Sequence, residues 1–309
     1  MSWQYLKPTN GIWRWATNTM NRYEVRGPDR GPCAICGVDA SLSADHVPPR
    51  GASRLGQVQM YELWKRLSAA PKEQRPPKFS QNGVKFRSIC GTCNNVRLGA
   101  QCDPAFIDFT SKTSNLITHV ESRQLVLPTT VNVRARPITV LRSVVGHVLA
   151  MNVGRSPRGP MEEAMAAFFL EPTRPIHRAL DCFYWLYPYN DQVHVDAAVI
   201  THTLGAGRGG TYFKLLKFYP IAFFLTWERN DAINYRFQNL CDHRYVGYDV
   251  EADVGVGTQS YPHQLWPECP TDGSAIMYGG DPKVAEPRTA KQRVVSKVIT
   301  LDAGKASSE

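Results

Sequence analysis

Apolar positions recur along the chain with two periods, and the switches between them outline its elements. Val84-Lys85-Phe86-Arg87-Ser88-Ile89 alternates apolar and polar residues, the mark of a strand with one buried face. Val131 to Arg136 alternates in the same way. Helical spacing governs Gln57 to Ala70, where Val58, Tyr61, Trp64 and Leu67 share a face, and Pro104 to Ser122, where Phe106, Phe109 and Leu116 do. Ile138 to Met151 and Met161 to Leu170 are predicted helices on the same grounds. Four segments rich in β-branched and aromatic residues follow: Ala179 to Tyr187, Gln192 to Thr203, Thr211 to Phe218 and Ile221 to Trp227. Turn residues separate them, which predicts an antiparallel meander with helices on one face. A last strand is predicted at Val294 to Leu301, ahead of a polar tail.

Turn signals divide the chain into three. Residues 1–30 form an arm dotted with Trp3, Trp13, Arg14, Trp15, Arg22 and Arg26, ending at Gly27-Pro28 and Gly31-Pro32. Such an arm either docks on the body of its own domain or lies along nucleic acid by stacking and phosphate contact, and docking is the more ordinary use of terminal tryptophans. Residues 31–124 make a first domain, and residues 125–309 a second, α+β domain with an antiparallel sheet. A length of 309 residues suits two cores better than one.

Charge sharpens this division. The net charge of +9 favours polyanionic partners, and between Arg26 and Ala100 twelve Lys or Arg face five Asp or Glu. No apolar run reaches the roughly 18 residues a membrane helix needs, and the N-terminus lacks the order of a secretory signal, so the expected location is the cytoplasm with no membrane contact.

Four of the eight cysteines fall in two Cys-x-x-Cys pairs, Cys33/Cys36 and Cys90/Cys93. That spacing in a reducing compartment points to one structural Zn²⁺, because two residues between sulfurs let both reach a tetrahedral ion. A site filled by four sulfurs has no place for a reacting water, so this zinc is expected to be a staple and not a catalyst. The scattered Cys102, Cys182, Cys241 and Cys269 are read as small buried hydrophobes. Asp45-His46-Val47-Pro48-Pro49 sits between the pairs, and its prolines place Asp45 and His46 on a strand end.

The order Cys33-Ala34-Ile35-Cys36, then Ala44-Asp45-His46-Val47-Pro48-Pro49, then Ile89-Cys90-Gly91-Thr92-Cys93-Asn94-Asn95 resembles the zinc-containing branch of the HNH endonuclease family over roughly Pro32 to Gly99. The resemblance implies a treble-clef-like ββα-metal fold that grips a divalent ion, Mg²⁺ or Mn²⁺. His46 would then activate water against a phosphodiester of DNA, with Asp45 and Asn94 as oxygen ligands of the catalytic ion. The family's last position is often histidine; here it is Asn94, an HNN-like variant, with Asn95 as second candidate. The middle asparagine is displaced: its usual offset falls near Lys85, and the nearest asparagine is Asn82, which either braces the loop behind His46 or forms a plain hairpin turn with Gly83. Arg50, Lys85, Arg87 and Arg97 are candidates for phosphate contact, Arg50 and Arg97 foremost. The other histidines, His147 among them, show no metal or triad spacing and read as structural. The expected activity is metal-dependent cleavage of DNA; the alternative is a catalytically silent zinc module that binds nucleic acid or protein.

Overall fold

A computed structural model gives the fold and describes residues 26–53, 56–67, 78–80, 82–121, 128–153, 158–202, 210–228, 237–258, 262–270, 274–280 and 282–287, with the backbone of three short N-terminal strands. Those strands are β1 (Gln4–Tyr5), β2 (Ile12–Trp13) and β3 (Trp15–Ala16). Next come β4 (Arg30–Pro32), β5 (Asp39–His46), β6 (Val58–Glu62), α1 (Leu63–Leu67), β7 (Lys78–Ser80) and β8 (Lys85–Cys90). A helical segment with π-type hydrogen bonding, Thr92–Cys102, runs directly into α2 (Asp103–Glu121). Then follow β9 (Thr130–Ala135), α3 (Pro137–Ala150), α4 (Pro160–Leu170), β10 (Leu180–Leu186), β11 (Gln192–His202), β12 (Gly210–Phe218) and β13 (Ile221–Trp227). Near the C-terminus lie β14 (Gln238–Asn239), β15 (Ala252–Gly257), β16 (Ser274–Tyr278) and β17 (Lys283–Pro287). The class is α+β with mostly antiparallel sheets. Among the described residues no helix is long and apolar enough to cross a membrane.

The large sheet runs in the order β14-β10-β13-β12-β11-β17-β6-β7. Both of its faces are covered, and strict alternation sorts the side chains. Leu180, Cys182, Tyr184 and Leu186 of β10, with Ile221, Phe223 and Leu225 of β13, enter one apolar cluster. Phe183, Trp185, Tyr187, Ala222 and Phe224 enter a second cluster on the opposite face, with Leu63 of α1 and Trp266 packed there. This explains the near-continuous apolar runs of these strands, since a strand buried on both faces has no polar side to show. β11, β12 and β13 form the expected meander. β10, however, pairs with β13 and not with its sequence neighbour β11, so the four strands are not one meander.

The first cluster is continuous from Cys33 to Ala285, so the cysteine-bearing segment and the large sheet share apolar packing. α3 lies at the middle of it. All of its 14 residues are buried, as a helix apolar on every side must be. Gly146 allows the close approach: a Cβ there would lie 2.6 Å from Leu98 and 2.6 Å from Phe169.

The helix expected over Gln57 to Ala70 is a correction. Val58 to Glu62 is a strand that pairs with β17 and β7, and only Leu63 to Leu67 is helical. Val58 and Met60 fit a two-residue period as well as Val58 and Tyr61 fit a helical one, and the sheet edge offered by β17 decides between them. Much of the arm and the strand predicted at Val294 to Leu301 lie outside the described residues. Ile12 and Trp13 pair in parallel with Ile276 and Met277.

Candidate functional site

β5 and β8 are antiparallel neighbours, with Asp45 opposite Phe86 and His46 opposite Lys85, and the helical segment follows β8 after a single residue, Gly91. Cys33, Cys36, Cys90 and Cys93 gather at the other end of this unit, their sulfurs all within 4.8 Å of one another. A tetrahedral ion with sulfurs at ~2.3 Å separates them by roughly 3.8 Å, and the Cys36 and Cys90 sulfurs are 3.8 Å apart. The cluster can hold a metal ion such as zinc. Its first turn is closed by Gly37, whose N–H donates to Cys33 O at 2.9 Å from a backbone φ of +75°, open to glycine at no steric cost. Arg158 donates to the Cys33 carbonyl at 2.9 Å, and the Cys90 N–H to the Cys33 sulfur at 3.2 Å. Without an ion, the Cys93 thiol and backbone N–H groups pull Cys33 down to about 4 against its burial. Hydrogen bonding to that sulfur and burial push Cys93 up. Burial raises Cys36 as well, so without an ion it is the Cys33 thiolate that these neighbours favour.

His46 ends β5. Burial, then the cations Lys85 and Arg50, push its imidazole down to about 4, while a hydrogen bond to the Asn82 backbone works the other way. The ring is therefore neutral near pH 7. Its Nε2 is sealed from solvent and has no hydrogen-bond partner among the described residues. Asn82 itself is exposed in the turn before β8, beside Gly83 at φ +73°. The loop after His46 is gripped from the large sheet, where Nε2 of the buried His194 meets Val47 O at 2.8 Å.

Asp45 points the other way, into the protein. It is 4% exposed, and its Oδ2 lies 2.8 Å from Nδ1 of His147 on α3. Nε2 of His147 lies 2.9 Å from Oδ1 of Asp103, which also accepts from Ser143 Oγ at 2.8 Å. Burial opposes a charge on His147, but the two carboxylates outweigh it and raise the imidazole to about 10. Burial likewise opposes ionisation of Asp103, yet His147 and Ser143 hold it below the usual carboxylate range. Asp45 is pushed up by burial, with His147 pulling against the shift. The result is a buried hydrogen-bonded chain, Asp45–His147–Asp103, across β5, α3 and the start of α2.

Asn94 leans on β5 from the helical segment. Its Nδ2 donates to Ser43 Oγ at 3.0 Å and to Ala44 O at 3.3 Å. With its nitrogen spent on the strand, the amide oxygen is the end left for another group. Asn95 is exposed one residue further on.

The four candidate phosphate contacts separate by what already holds them. Arg87 pairs with Asp29, and Arg97 donates to Leu170 O at 3.0 Å at the C-terminal end of α4. Arg50 is exposed, Lys85 is partly exposed, and neither has an ion-pair partner among the described residues. Both cations act on His46.

His147, Asp103 and Ser143 are functional candidates that sequence reasoning passed over, having read His147 as structural. One faint signal was present. Ser143 and His147 are four apart and share one face of an otherwise apolar helix. The chain was compared with models of protein families, with curated proteins and with solved structures, and no match was found in any of the three.

Proposed function

We propose that residues 31–124 form an HNH-type nuclease module of ββα-metal fold, stapled by Zn²⁺ on Cys33, Cys36, Cys90 and Cys93, which hydrolyses phosphodiester bonds of DNA. The observation that carries this reading is the bond from Asn94 to Ala44, a residue fifty positions away, which brings the asparagine beside the Asp45-His46 step. The resembled family places its three working side chains in such a group, a strand end against the start of a helix.

In this reading His46 is the general base. Its hydrogen bond to the Asn82 backbone orients the ring, which fills the bracing role of the missing middle asparagine with a main-chain group. The neutral imidazole takes a proton from water, the water oxygen bonds to phosphorus, and the P–O3′ bond breaks, leaving a 5′-phosphate and a 3′ oxygen that takes its proton from solvent. Asp45 and Asn94 present a carboxylate and an amide oxygen, a donor set suited to Mg²⁺ or Mn²⁺, which are held by few protein oxygens and several waters. When bound, such an ion supplies stabilisation of the charge on the leaving 3′ oxygen. Arg50 and Lys85 are the side chains free to hold the phosphate, and neither reads base sequence.

A second reading rests on one observation: Asp45 is almost fully enclosed and His46 Nε2 is sealed. On that basis the module is a catalytically silent zinc unit that binds nucleic acid or protein. The two readings part on supercoiled plasmid with and without Mg²⁺ or Mn²⁺. The nuclease reading expects metal-dependent nicking that His46→Ala lowers by at least 100-fold, in line with removal of a general base, with zinc content unchanged. Zinc at one ion per chain with no cutting by the intact protein supports the silent module. Full cutting by His46→Ala removes His46 as the base.

A further inference from the structure

We infer that His147 is a positioning residue of the module, holding Oδ2 of Asp45 from the interior so that the other carboxylate oxygen is aimed at a divalent cation. The inference rests on the nuclease reading, and the geometry extends that reading beyond residues 31–124 to His147 on α3. His147 is 102 positions from Asp45 and 44 from Asp103, and it bonds both, at 2.8 and 2.9 Å. Its ring is 0% exposed and both nitrogens are used, so it has no atom left for substrate and acts only through its neighbours.

Two features make a positioning role stronger than plain packing. First, the tie is closed at both ends of one helical run. Asn94, near its start, bonds β5 at Ser43 and Ala44, whereas Asp103, where the run passes into α2, reaches β5 at Asp45 through His147. The strand end that carries Asp45 is thereby fixed at two points spaced along the same helix. Second, burying polar side chains costs free energy even when each is hydrogen-bonded, and apolar side chains of similar volume fill such a place without that cost. α3 is apolar almost throughout, and its buried polar side chains are Thr139, Arg142, Ser143 and His147. Two of these, Ser143 and His147, converge on Asp103. A hydrogen-bonded polar chain at that place is understandable if the carboxyl group it holds has a ligand to bind. Hydrogen-bonded groups behind metal ligands typically govern about 10- to 100-fold in metal affinity.

The experiment measures Mn²⁺ binding to the full-length chain by electron paramagnetic resonance, with plasmid nicking run in parallel. Wild type, His147→Gln, Asp103→Asn and Asp45→Asn are compared at matched zinc content and far-UV circular dichroism. The inference expects Asp45→Asn to abolish specific Mn²⁺ binding and His147→Gln to weaken it about 10- to 100-fold. Asp103→Asn, which leaves His147 on Asp45, is expected to have a smaller effect, and excess Mn²⁺ is expected to restore nicking by His147→Gln. Wild-type Mn²⁺ affinity in His147→Gln, or in Asp103→Asn should His147→Gln fail to fold, overturns the inference and leaves the nuclease reading intact. A wild-type protein that neither binds Mn²⁺ nor nicks DNA overturns both.

Discussion

The four-cysteine cluster and the Asp45–His147–Asp103 chain both bear on the same small unit of two strands and a helix, yet they are encoded in opposite ways. The cluster is written in short spacings: a two-residue gap, repeated, places sulfurs that a single ion can bind together. The chain has no local spacing. Its residues come from a strand end, a helix junction and a helix more than a hundred positions from the strand, and only the fold joins them. One site can therefore be read before the fold is known, while the other is a product of the fold and depends on the packing of α3 against β5.

Keeping the cluster free of metal is the strongest way to test this contrast. Structural zinc contributes apparent binding free energies of ~10–16 kcal/mol in small zinc peptides, which equals or exceeds the whole stability of a typical domain, ~5–15 kcal/mol. Cys90→Ser, or stripping by a strong chelator, is expected to melt the β5–β8 unit. The measurement is thermal unfolding with zinc quantified alongside. Because Ser88 Oγ bonds Ala150 O on the far side of the shared core, α3 is expected to loosen with it. An unchanged melting temperature in zinc-free protein would show that the four sulfurs are not a staple.

The second test addresses the chain and has a defined pH sense. The His147 imidazole stands at about 10 in the folded protein, above its ordinary value of 6.5. A raised pKa contributes stability that is full below 6.5 and is lost as pH rises through 10. His147→Gln leaves buried Asp45 and Asp103 without their imidazole partner, and breaking a buried pair in this way costs ~3–5 kcal/mol. The gap in melting temperature between wild type and His147→Gln is expected to be widest near pH 6.5 and to shrink toward pH 10. A gap that widens over that interval would mean that His147 is not held as an imidazolium.

The same contrast explains what was legible in the sequence. The helices α2, α3 and α4 and the strands β8 to β13 were predictable, because each has a long apolar pattern of one period or is bounded by turn residues. Val58 to Glu62 was misread as helix because its apolar residues fit both periods, and a distant strand, β17, resolves them. The site divided likewise. Cys33, Cys36, Cys90 and Cys93 could be read from spacing, and Asp45, His46 and Asn94 from their order between and after the pairs. The fate of each basic side chain could not be read, since Arg87 is taken by Asp29 and Arg97 by the end of α4. Net charge was equally silent on burial: Lys214, Lys217 and Arg142 are enclosed in the core and add nothing to the charge of the surface.

The smallest effect is expected at Gly146, the residue before His147, where the approach of α3 is tightest. A Cβ built there lies 2.6 Å from Leu98 Cδ2 and 2.6 Å from Phe169 Cε2, closer than real contacts allow. Both atoms are tips of side chains and not backbone, so they can shift, and overpacking of this kind costs ~1–3 kcal/mol. Alanine also favours a helix interior over glycine by ~1 kcal/mol, which offsets part of the cost. Gly146→Ala is therefore expected to be destabilising by ~1 kcal/mol, a fall of a few degrees in melting temperature. Zinc content would be unchanged, because the cluster is built from its own two turns. A small loss of Mn²⁺ affinity is expected with it, since pushing α3 away from Leu98 moves His147 relative to the strand that carries Asp45. If Gly146→Ala lowered zinc content and left Mn²⁺ binding alone, the locally coded site would be the one that depends on α3, and the contrast between the two sites would be reversed.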